Sequence, residues 1–97
     1  MPAAKNFPAI LVELETLRAA GRAQYDTLLT VKAEIARGGN EVEMAEYEES
    51  AEFIQSEMSA NIDKIFAASR RAKLAGIKFS LATGGIIFAG RKLVIAA

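Results

Sequence analysis

The feature that most constrains this chain is an apolar repeat in steps of three and four. Phe7, Ile10, Leu14, Leu17, Gly21, Gln24, Leu28, Val31 and Ile35 make a heptad seam over four repeats, and seven of those nine positions are apolar. The spacing predicts a helix over residues 8–37, with Asn6 or Phe7 at the N-cap and Pro8 in the first turn, where a missing amide costs nothing. Gly21 and Gln24 interrupt the seam. They mark a weak spot or close helix contact, or else a polar register device or bend.

Gly38-Gly39 stops this helix, and Asn40 with Glu43 supplies an Asn-x-x-Glu variant of the capping box for the next. The second seam reads Met44, Tyr47, Ala51, Ile54, Met58, Asn61, Ile65, Ala68, Ala72 and Ala75, so a helix is expected over 41–75, ended by Gly76. Ile62, Phe66 and Leu74 widen its stripe in the second half, as in a helix that meets more than one neighbour. Two seamed helices joined by three residues fold back as an antiparallel hairpin, a rod on the order of 45–50 Å long. We assign Tyr25, Tyr47, Met44 and Met58 to packing.

After Gly76 the period changes. Ile77-Lys78-Phe79-Ser80-Leu81-Ala82-Thr83 alternates as a half-buried strand does, Gly84-Gly85 suits a two-residue turn, and Ile86-Ile87-Phe88-Ala89 is β-branched and aromatic. A second turn at Gly90-Arg91 would add Lys92-Leu93-Val94-Ile95 as a third strand. A simple hairpin sets Lys78 against Arg91, so a meander or a bulge at Gly90 is preferred. The expected fold class is therefore mainly α: a long, coiled-coil-like antiparallel helical hairpin followed by a short C-terminal β-hairpin or meander over 77–97. All of it forms a single domain spanning 1–97. The β segment is apolar on both faces, and either the base of the helical bundle or strands from sister chains must cover it.

Charge is balanced in number and separated in space. There are 12 Lys+Arg and 12 Asp+Glu. From Glu41 to Glu57 there are acids (Glu41, Glu43, Glu46, Glu48, Glu49, Glu52, Glu57) and no base; from Lys64 to Lys92 there are bases (Lys64, Arg70, Arg71, Lys73, Lys78, Arg91, Lys92) and no acid. Folding the hairpin at Gly38-Gly39 leaves residues 20–57 with three bases and nine acids, a net of −6, and residues 58–97 with seven bases and one acid, a net of +6. Helix-dipole complementation accounts for a few charges in terminal turns, not for fourteen. The zero total argues against a uniformly basic nucleic-acid binder.

Chemistry is sparse. With no Cys and no His, the chain has no disulfide, no thiolate metal site, and no imidazole base for a Ser or Thr nucleophile. Glu46 with Glu49, or Glu48 with Glu52, share a helix face, but carboxylate-bridged metal sites add Glu-x-x-His, and these acids read as a solvated face. Gly84-Gly85 with Gly90 lacks the Gly-Lys-Ser/Thr of a phosphate loop. No catalytic residue, metal or cofactor is expected, and the chain is read as non-enzymatic. The start, Met1 to Pro8, has no secretory pattern, and Phe79–Gly90 is twelve residues where a spanning helix needs about 20, so a cytoplasmic or virion location is expected.

In length the hairpin is similar to the secreted helical hairpins of type VII secretion and to type III needle subunits. The bend here, Arg37-Gly38-Gly39, has neither the Trp-x-Gly of the first nor the proline-bracketed turn of the second. Long helices followed by a short β tip also resemble parts of phage virions, an analogy of architecture. The function expected is a structural or assembly subunit that homo-oligomerises through its helical seams and docks by its β segment, as a virion or secretion-filament component. Its expected interface comprises Leu14, Leu17, Leu28, Ile54, Ile65, Phe66, Phe79, Leu81 and Phe88. The alternative is an adaptor whose basic end, at Lys64, Arg70, Arg71 and Lys73, engages nucleic acid or an acidic protein. Contact with a membrane through the C-terminal segment is a third reading.

Overall fold

The computed structural model describes residues 6–95, so residues 96 and 97 of the expected β segment lie outside the described residues. Two helices, α1 (Ala9–Arg37) and α2 (Glu41–Leu74), pack against each other as a hairpin. They are followed by strands β1 (Ser80–Ala82), β2 (Gly85–Phe88) and β3 (Arg91–Leu93). The strands form one antiparallel sheet in the order β1-β2-β3, the meander rather than the hairpin. The rod measures 53 × 23 × 18 Å.

Local chemistry sets most of the boundaries. Asn40 caps α2, its side-chain oxygen accepting from the Glu43 amide at 2.9 Å while its amide donates to Glu43 Oε1 at 3.1 Å. At the other end, Gly76 donates to Lys73 O and Ile77 donates to Ala72 O, the two bonds of a Schellman motif. That motif needs a left-handed residue, and Gly76 supplies φ 78°. The N-cap of α1 is Pro8, not Asn6 or Phe7: its carbonyl accepts from Leu11 and Val12, and no side chain caps the end.

The turns of the meander fall one residue earlier than Gly84-Gly85 and Gly90-Arg91. Pairing of Ala82 with Gly85 leaves Thr83-Gly84 as the first turn, and pairing of Phe88 with Arg91 leaves Ala89-Gly90 as the second. Gly85 belongs to the ladder, and that position requires glycine because a Cβ there would collide with the Leu93 carbonyl. Ala89 and Gly90 have φ 52° and 75°, so both central residues of the second turn are left-handed, as in a type I′ turn. Alanine carries a cost of roughly 1–2 kcal/mol in that region. Ala89→Asn is expected to raise stability by about 1 kcal/mol and the melting midpoint by about 4–8 °C. An unchanged or lower midpoint would count against the turn.

The core sits at one end. Phe7, Leu11 and Leu14 of the first segment, Ala68 and Ala72 of α2, and Ile86 and Leu93 of the sheet form the buried cluster. Ile10, Val12, Leu17, Ile65, Ile77, Phe79, Phe88 and Ile95 pack around it, so the bundle base covers the inner face of the sheet. Phe7 and Phe88 meet with ring centroids 6.2 Å apart, and the Arg91 guanidinium lies 5.1 Å over the Phe7 ring. Toward the bend only two layers remain, and Leu28 and Ala51 are the buried apolar residues there. Three layers thus meet at the base and two at the bend.

Midway, Asn61 sits in the α2 seam and donates to the Leu17 carbonyl at 2.8 Å. A Cβ on Gly21 would lie 3.0 Å from the Asn61 amide nitrogen, so the glycine gives Asn61 its room. The Gly21 interruption is therefore a close helix contact, and Asn61 is the polar group that uses it to fix one register.

Candidate interaction surfaces

A buried carboxylate ties the last strand to the first helix. Glu15 is 0% exposed and accepts from Arg18 Nε at 2.6 Å, from Arg18 Nη2 at 2.8 Å and from the Ile95 amide at 3.0 Å. The hydrogen bond to Glu15 raises the Arg18 pKa above its ordinary value; desolvation opposes it and the Coulombic attraction adds to it. This arrangement satisfies a buried charge three times over, which makes it a structural latch. Beside it, Arg18, Ala19, Arg22, Thr83, Gly84 and Ile95 line a shallow cleft of ≈ 360 Å³. Only the Glu-x-x-Arg spacing of this latch is visible in sequence; the bond to Ile95 spans 80 residues.

The expected interface residues divide by burial. Leu14 and Leu28 are buried inside the single chain, so their surface is already covered. Leu17, Ile54, Ile65, Phe79 and Phe88 are half-buried. Phe66 and Leu81 are exposed, at 69% and 67%. Leu81 shares a cross-strand row with Ile86 and Leu93, which are fully covered, so β1 overhangs the edge of the helices beneath it. Sequence reasoning did not place Tyr25, Leu29, Val42, Phe53 or Val94 on the surface, yet all are exposed. A broad groove of ≈ 610 Å³ follows Glu46, Glu49, Ser50, Phe53 and Ile54 along α2.

The charged surfaces keep the separation read from sequence. Lys64, Arg70 and Lys73 are exposed, whereas Arg71 is exposed but bridges to Glu13 at 2.9 Å across the two helices. Among the described residues no group of three or more acidic side chains is placed to hold a metal, and no helix is long and apolar enough to cross a membrane. Fold and surface together define a class by architecture: a two-helix rod with a three-stranded meander on its base. No protein-family model matches the chain, and no significant similarity joins it to a curated protein or a solved structure.

Proposed function

We propose that the chain is a non-enzymatic structural subunit that assembles with copies of itself, in a setting such as a virion or a secretion filament. The observation that carries this reading is the unfinished rod. Phe53 and Phe66 stand 64% and 69% exposed on α2, and the bend half has two layers where the base has three. A hairpin this thin buries few side chains, and a second helical layer is the ordinary remedy. The overhanging β1 edge, with Leu81, offers a docking strand for a larger particle.

Light scattering or native mass measurement tests this directly. A defined oligomer is expected at micromolar concentration, and Phe53→Ser with Phe66→Ser should shift it toward monomer without lowering helix content. A monomer at all concentrations would overturn the reading. It would leave the second one, an adaptor whose exposed Lys64, Arg70 and Lys73 engage a polyanion or an acidic protein.

A further inference from the structure

The outer face of α2 carries a second heptad. Glu46, Phe53, Ala60, Ala67 and Leu74 recur every seven residues, and all five are exposed. Phe53 and Leu74 are the large apolar members, 64% and 79% exposed. Arg71, which bridges to Glu13, marks one flank of the helix pair. Ala67 and Leu74 fall four before and three after it, so the stripe lies just beyond that flank, turned away from α1. The meander lies on the opposite flank, where Thr83 and Gly84 border Arg18 and Arg22, and Ile95 reaches Glu15. Among the described residues nothing covers the stripe.

The groove along Glu46, Glu49, Ser50, Phe53 and Ile54 sits at the bend end of this stripe and is acidic and apolar. What fits it is a small, basic and apolar helix face, and the other end of the same stripe is one, with Ala67, Arg70 and Leu74. Ala60 is the midpoint, seven residues from Phe53 and from Ala67, about 10 Å at helical rise. A two-fold axis at that level, normal to the plane of two α2 helices, runs them antiparallel with α2 on α2. Phe53 of each copy then seats over Ala67 of the other, where a methyl group leaves room for a ring. Leu74 comes level with Glu46, one turn from the exposed Val42. Beside the stripe Glu57 meets Lys64 and Glu49 meets Arg70, each pair twice, while Ser50 and Ser56 face Arg71 and Asp63. Among the described residues Glu49, Glu57, Lys64 and Arg70 have no ion-pair partner within the chain. Such rim pairs set direction more than affinity, and Phe53 and Leu74 supply the apolar burial. A parallel pair would instead set the wholly acidic stretch from Glu41 to Glu57 against itself.

We infer that this outer face of α2 binds the same face of a second copy, antiparallel and centred on Ala60. The inference rests on the homo-oligomeric reading above and adds to it the contacting helix, its direction and its register. The chain has no cysteine, so single introduced cysteines report cleanly. Ala60→Cys and Ala67→Cys are oxidised separately, with native mass measured alongside. Ala60→Cys lies on the axis and is expected to form a disulfide-linked dimer. Ala67→Cys stands about 21 Å from its counterpart at helical rise and is not, because a disulfide needs Cα atoms within about 7 Å. Linkage of Ala67→Cys, or an oligomer in which Ala60→Cys stays unlinked, overturns the pairing and leaves homo-oligomerisation standing. A monomer at all concentrations overturns both. Lys64→Glu brings two acids together and should weaken dimerisation about tenfold; adding Glu57→Lys restores a pair of opposite sign and should recover affinity to within about threefold. No loss in the single variant, or no recovery in the double one, would also overturn the pairing.

Discussion

Leu28→Asp is expected to separate the two helices over the bend half. Leu28 is 5% exposed and, with Ala19 and Ala51, supplies the buried apolar surface between the core and Gly38. An aspartate there loses its hydration, and the surrounding segment already carries a net of −6. Leaving a buried charge uncompensated costs on the order of 3–5 kcal/mol, a large part of the 5–15 kcal/mol that holds a typical domain together. Thermal unfolding followed by circular dichroism should show a much lower midpoint and reduced helicity at the outset. Leu28→Met, which conserves volume, should cost under about 1.5 kcal/mol. An unchanged Leu28→Asp melt would refute the seam.

Glu15→Ala is expected to have the second largest effect, at the opposite end. It removes the acceptor of the Ile95 amide and both hydrogen bonds of Arg18, whose side chain is 28% exposed. An unpaired buried amide and a half-buried unpaired guanidinium together cost about 3 kcal/mol. Glu15→Gln can keep an oxygen for Ile95 but loses the charge and turns an NH2 donor toward Arg18 Nε, so it should cost less than Glu15→Ala only by the share of the Ile95 bond. Equal losses for the two variants would show that the strand end draws nothing from the latch. A loss under about 1 kcal/mol for Glu15→Ala would show that the carboxylate is dispensable.

The helical part of this fold is legible because its signals are local and repeated. Each heptad restates the seam, Asn40 and Glu43 name the start of α2, and Gly76 names its end. The meander is legible in kind, since its period and its glycines announce strands and turns. Its register is not. Thr83-Gly84 and Gly84-Gly85 serve equally well as a turn in sequence, and the observed one goes with the register that pairs Leu81 with Ile86 and Ile86 with Leu93 and buries the last two in the core. Glu15 shows the same limit. Its place in the heptad is that of a solvated residue, and only the return of Ile95 removes it from water. On the surface, charge is legible in the sequence and apolar exposure is not. Charge needs only the fold-back point, whereas the exposure of Tyr25 or Leu29 depends on how far the sheet reaches along the rod.

The position of the sheet also fixes an order of events during synthesis. Glu15 is made 80 residues before Ile95, whose amide it accepts, and Leu11 and Leu14 likewise precede by most of the sequence the Ile86 and Leu93 that cover them. A ribosome adding about 5–20 residues per second leaves that stretch of α1 open for several seconds after it emerges. Within that interval α1 and α2 can pair along the bend, where every contact is between neighbours across a short turn. The base closes only when β3 arrives, so the start of α1 reaches its finished surroundings after the bend half does.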